Sequence, residues 1–107
     1  MTTVWLIDID GTICEDIPNE TPELFVTAKV IPGALEKVKE FYNNGDRVTF
    51  FTARTTEHAK ATEEWLIRNG FPFESVCYNK PRISEGETYH WIDNRKVKSS
   101  YVPKGLK

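Results

Sequence analysis

A chain of 107 residues, 39% hydrophobic and 12% aromatic, can bury one core but not a second domain of any substance, and its composition excludes a disordered chain. A formal charge of −2 without a long basic run argues against non-specific binding to nucleic acid or to an anionic membrane. No apolar run approaches the roughly 20 residues of a membrane span, no secretory signal pattern opens the chain, and Cys14 and Cys77 suggest no disulfide framework, so a cytoplasmic protein is expected.

The chain opens on an uninterrupted apolar run, Val4-Trp5-Leu6-Ile7, which reads as a strand buried on both faces of a parallel sheet. It stops in acid at Asp8 and Asp10, which share a side while the chain is extended, and Gly11 permits a sharp exit. Ile13 to Val30 shows no sustained helical period. Residues 13–31 are therefore expected to form a loop, with short pieces around Ile13-Cys14 and Phe25–Val30 pairing as a flap hairpin. After Pro32-Gly33, apolar residues Ala34, Leu35, Val38, Phe41 and Tyr42 fall on one helical stripe that ends at Asn43-Asn44-Gly45. Arg47 to Thr52 reads as a second strand, and Thr56 to Asn69 as a second helix closed by Gly70. Glu74 to Tyr78 is expected as a third strand and Thr88 to Ile92 as a fourth, with Trp5, Trp65 and Trp91 in the core. The tail from Lys96 adds an edge strand at Val97 to Val102 or none. Alternating strands and helices imply parallel pairing with right-handed crossovers.

In a parallel open sheet all strands end on one edge, and ligands bind there. Each expected strand delivers a chemically pointed residue to that edge: Asp8 and Asp10, then Thr52, then Lys80, then Asp93. Carboxylates crowded together push a pKa up unless a cation or chemistry uses them. Oxygen ligands suit Mg²⁺, with Asp8 and Asp93 as candidate carboxylates. Thr52 and Lys80 suit phosphate oxygens, and backbone N–H groups near Ala53 would add anion affinity. Arg54 is a candidate substrate contact, with pairing to an acid and a place in solvent as its other readings. No His stands beside a Ser or Cys, so the most available nucleophile is a carboxylate attacking phosphorus, with a second carboxylate moving protons.

The string Asp8-Ile9-Asp10-Gly11-Thr12 resembles the D-x-D-G-T first motif of the haloacid dehalogenase-like (HAD) phosphohydrolases. Thr52 resembles the second-motif hydroxyl, Lys80-Pro81 the third-motif lysine, and Trp91-Ile92-Asp93 the fourth-motif strand and acid. The resemblance implies a three-layer α/β/α Rossmann-like core with a small parallel sheet. It makes Asp8 the nucleophile and a Mg²⁺ ligand, Asp10 the general acid/base with its backbone carbonyl on the metal, and Asp93 the other carboxylate ligand. It further implies a phosphatase working through an aspartyl-phosphate.

Two departures stand out. Asn94 and Arg95 follow Asp93 where the family commonly carries a second acid, which opens the alternative of a catalytically weak or inactive binding module. Neither usual insertion point holds enough residues for a cap domain, so a cap-less member is expected, its site open to large substrates or closed by a second copy in a homo-oligomer. Thr52-Ala53-Arg54 and Lys80-Pro81-Arg82 also resemble small stand-alone phosphatase domains associated with bacterial surface-sugar biosynthesis, which implies a small phosphorylated substrate such as a sugar phosphate.

Overall fold

The structure, a computed structural model, describes residues 2–106. Three strands, β1 (Val4–Ile7), β2 (Arg47–Phe51) and β3 (Ser75–Cys77), form one parallel sheet in that spatial order. Helix α1 (Ala34–Asn43) joins β1 to β2, and α2 (Ala59–Arg68), entered through a short 3₁₀ turn at Thr56–His58, joins β2 to β3. The α/β class and the small parallel sheet are those expected from the sequence.

Strand order explains where the core sits. Two right-handed crossovers that step the same way across a sheet put both helices on the same face. Trp5 and Ile7 lie beside Val48 and Phe50 in the β1–β2 register, so these four side chains share that face. Trp5 stacks on Phe41 of α1 at 3.9 Å between centroids, and Phe50 meets Phe71 edge-on, with Phe71 stacked in turn on Trp65 of α2. Phe50, Val48 and Trp65 are buried, whereas Val4 and Leu6 on the opposite face are about half exposed. Among the described residues no helix covers that second face. The segment after β3 lies there instead, with Trp91 edge-on to Phe51.

The expected fourth strand is not formed: Thr88 to Ile92 has no regular structure, Ile92 is 96% exposed, and Trp91 is half exposed rather than in the core. Its β-forming residues spend their contacts elsewhere, Tyr89 against the Lys80 ammonium and Trp91 against Phe51, and strand propensity without a paired edge is a weak force. Val97 to Val102 adds no edge strand either. The far end of the chain is nonetheless anchored, since Leu106 N–H donates to the Thr12 carbonyl at 2.7 Å.

Between β1 and α1 the chain folds back on itself. Cys14 bridges Val30 in antiparallel fashion, Ile31 N–H donates to Ile13 O, and Glu15 N–H donates to Lys29 O. Where an extended piece from Phe25 is expected, Pro22–Phe25 forms a 3₁₀ turn that buries the Phe25 ring. Trp65 fixes this segment to α2 by donating its indole N–H to Ala28 O at 3.0 Å. No helix among the described residues is long and apolar enough to cross a membrane.

Candidate active site

β1 ends at Ile7, and the next residues wind into a tight turn around one carbonyl. The N–H groups of Thr12, Ile13 and Cys14 all converge on Ile9 O, at 3.0, 3.0 and 3.4 Å. Gly11 sits at φ 81°, a left-handed conformation that costs other residues energy. The turn sends Asp8 and Asp10 to different surroundings within one cavity of about 440 Å³, which both of them line.

Asp8 faces solvent and Lys80, whose ammonium lies 3.9 Å from its carboxylate. Burial holds the Asp8 carboxyl above the ordinary carboxylate range; Lys80 and the Ile9 N–H pull it down, while Asp10 and Asp16 push it up. Lys80 reaches this position because backbone bonds continue past the sheet: Thr52 N–H donates to Cys77 O, Lys80 N–H to Thr52 O and Asn79 N–H to Arg54 O. Asn79 makes the turn at φ 63°, which asparagine tolerates better than most residues.

Asp10 is held on a fork. Arg54 donates Nε–H to Oδ2 at 2.9 Å and Nη2–H to Oδ1 at 2.7 Å, a bidentate pair with fixed geometry. The guanidinium is wholly buried; its Nη1–H donates to Thr62 Oγ1 at 3.1 Å, and its plane lies 3.8 Å from the centre of the Phe25 ring. Of the three readings of Arg54 left open by the sequence, pairing with an acid is the one seen. The guanidinium is committed away from the cavity, which corrects its assignment as a substrate contact.

Thr52 is fully buried, its Oγ1 accepting the Arg54 N–H at 3.1 Å, and it is not among the residues lining the cavity; Ala53 is. Asp93 is not there. Its carboxylate accepts from Trp91 Nε1–H and Arg95 N–H in the exposed tail, and with the expected strand at Thr88 to Ile92 unformed nothing carries it toward Asp8. Among the described residues no three His, Cys, Asp or Glu groups are placed to hold a metal ion, so the expected set of Asp8, Asp10 and Asp93 is not gathered. The cavity still offers carboxylate oxygen, the donor type Mg²⁺ takes, through Asp8. That suits a largely hydrated ion shared with a substrate phosphate better than a dedicated cage.

Several lining residues went unseen in the sequence. Asp16 and Asn19 come from the flap, and Asn19 closes it by donating its amide to Ala53 O at 3.1 Å. Glu20 on the flap pairs with Arg82 at 3.5 Å across the cavity mouth, both exposed. Tyr89 lines the same space and donates its hydroxyl to Pro81 O. An acid six residues beyond Asp10 carries no signal by spacing alone; the fold-back of residues 13–31 is what places it.

The chain is similar in sequence and in fold to known proteins. A putative nucleotidase from Bacillus cereus is 35% identical over 73 residues, covering 68% of this chain and 38% of that protein. A putative 5'(3')-deoxyribonucleotidase from Chlorobaculum tepidum is 26% identical over 90 residues, 78% of this chain and 45% of its own length. The chain thus spans less than half the length of these curated relatives. Among solved structures, a Vibrio cholerae protein superposes with TM-score 0.66 at 19% identity, over 90% of this chain and 83% of its own. D,D-heptose 1.7-bisphosphate phosphatase from B. bronchiseptica, solved with magnesium and phosphate, gives 0.59 at 15% identity over 79% and 54%. These likenesses bear out the HAD-like family expected from the sequence, and with residues 5–102 matched by the family model described as PITM 1-3, LNS2 domain, the chain belongs to that LNS2 family of HAD-like domains.

Proposed function

We propose that this domain hydrolyses small phosphomonoesters through an aspartyl-phosphate on Asp8. The observation that carries this reading is the half-exposed Asp8 carboxylate facing Lys80 at 3.9 Å, with Asp10 pinned two residues away in the same cavity. An Asp8 oxygen attacks phosphorus as the P–O bond to the leaving group breaks, and Asp10 gives that alkoxide a proton. Water then attacks the phosphorus of the acyl phosphate, the Asp8–phosphorus bond breaks, Asp10 takes the water's proton, and inorganic phosphate leaves. Lys80 offsets charge on the phosphoryl oxygens throughout. Mg²⁺, when bound, would lean on Asp8 and on substrate phosphate oxygens and would add to that charge stabilisation.

Nucleoside monophosphates are the first substrates to try, because the curated relatives are named as nucleotidases. Sugar phosphates come second, on the sequence resemblance and the likeness in fold to a heptose bisphosphate phosphatase. The open cavity suits closure by a second copy of the chain, which the mass in solution tests. Purified protein is assayed for phosphate release on both panels and on p-nitrophenyl phosphate, with Mg²⁺ and with EDTA. Release that disappears in Asp8→Asn and with EDTA supports the reading; wild-type rates in Asp8→Asn refute it.

Asp93 outside the cavity favours a second reading, a domain that binds phosphorylated ligands without turnover. Phosphate binding by calorimetry, with no hydrolysis on any substrate, would establish that one.

A further inference from the structure

We propose that Arg54 is a positioning residue for Asp10, setting the orientation of the carboxylate that moves protons; this rests on the reading of Asp8 and Asp10 as the catalytic pair. Four contacts leave the guanidinium one pose: two N–H groups go to the two Asp10 oxygens, a third to Thr62 Oγ1, and the plane lies on Phe25. The backbone N–H of Arg54 is held as well, by Thr52 Oγ1. A wholly buried guanidinium without its carboxylate would be severely destabilising, so the pair stays closed in the folded chain. Asp10 Oδ1 also accepts from the Cys14 thiol at 3.7 Å, but Oδ2 takes the Arg54 Nε–H and keeps a second lone pair, and 15% of the side chain remains accessible toward the cavity, so the fork fixes direction without blocking proton transfer.

The partners of Arg54 come from separate parts of the chain. Asp10 lies in the turn after β1, Thr62 on α2 and Phe25 on the flap, and Arg54 itself follows β2. The guanidinium thus registers the flap and α2 against the proton-moving carboxylate. A lysine places one ammonium where the fork places two aligned donors, and it lies poorly on an aromatic face, so the substitution is not conservative here.

The test is steady-state kinetics on p-nitrophenyl phosphate, with near-UV circular dichroism to confirm folding. In Arg54→Lys and Arg54→Ala, kcat falls about 100-fold, the scale of an ångström of misplacement, while KM stays within about twofold, because Arg54 makes no contact in the cavity. Guanidinium added to Arg54→Ala restores part of kcat, which a merely structural role would not produce. Wild-type kcat in folded Arg54→Lys overturns the proposal, as does a rise in KM alone, the mark of a substrate contact. If neither Arg54 variant folds, Thr62→Val decides: a fall in kcat supports the proposal and an unchanged kcat overturns it. If the wild type turns over no substrate, the phosphatase reading fails, and nuclear magnetic resonance judges the fork separately. A slowly exchanging Arg54 Nε–H signal that moves in Asp10→Asn but not in Asp16→Asn supports it; one indifferent to Asp10→Asn overturns it.

Discussion

Trp65→Phe tests whether the flap is held to the body of the domain by α2. Trp65 is 1% exposed, stacks on Phe71 at 5.7 Å and donates its indole N–H to the buried Ala28 carbonyl at 3.0 Å. Phenylalanine keeps much of the stacking but removes the donor, which leaves a buried carbonyl without it at a cost of about 1–3 kcal/mol. The missing ring volume, roughly 40 Å³, adds about 1 kcal/mol if the site does not collapse. A loss of about 2–4 kcal/mol is a large share of the 5–15 kcal/mol typical of a domain, and at this size it lowers Tm by roughly 10–25 °C. Urea and thermal unfolding followed by far-UV circular dichroism measure it, with Ile67→Ala, at a site 68% exposed on the same helix, as the control. A Trp65→Phe protein within about 0.5 kcal/mol of wild type, the scatter of ordinary surface changes, would refute the tie between α2 and the flap.

Gly11→Ala has room for its methyl group, the nearest side-chain atoms lying at 3.8 Å, so its cost is conformational: about 1–2 kcal/mol in unfolding at φ 81°, with a loss of phosphate release as the turn carrying Asp10 shifts. Maleimide labelling followed by mass spectrometry should modify the exposed Cys77 and spare Cys14, which is buried and whose thiol burial pushes up to about 12. Two labels on the native protein would contradict that placement. On the acid side, the Glu74 carboxylate accepts from the Arg47 fork at 2.6 and 2.7 Å, and this bonding holds its pKa below 4.5. A depressed folded pKa contributes stability above the unfolded value that is lost as pH falls through the folded one. Glu74→Gln should therefore flatten part of the stability loss below about pH 4.5 and leave neutral stability nearly unchanged, as expected of an exposed pair.

The elements that the sequence displays plainly are those whose pattern and packing agree. The α1 stripe of Ala34, Val38 and Phe41 is buried as its spacing requires, and Arg47–Phe51 ends one residue short of the expected strand. Thr56 to Asn69 was legible as helix, though its first turn is 3₁₀. The fourth strand misled because Thr88 to Ile92 has the composition of a strand while pairing is a long-range property that composition does not encode. Asp8, Asp10 and Lys80 come to one cavity because each lies just beyond a strand end or on the turn leaving one, which topology alone dictates. Asp93 depends on the unformed strand and lies elsewhere. Arg54 was ambiguous for a different reason: an arginine two residues past a strand end looks the same in sequence whether it meets a substrate or turns inward, and only the burial of Phe25 and Thr62 around it separates the two.

Two acids two residues apart would be expected to share one environment, and the turn around Ile9 is what prevents it. Three N–H groups gathered on one carbonyl pull the chain out of the extended form immediately after β1, so the side chains of Asp8 and Asp10 no longer follow a strand's alternation. Asp8 is left partly exposed at the cavity with the Lys80 ammonium at 3.9 Å. Asp10 receives a buried fork that holds it still. On the proposed mechanism the nucleophile must be reachable and the proton carrier must be aimed, and these demands conflict within one local environment. The left-handed glycine at position 11 completes the turn that separates them, and an arginine just beyond the neighbouring strand fixes the second, so the difference between the two carboxylates is a property of the backbone path before it is one of their neighbours.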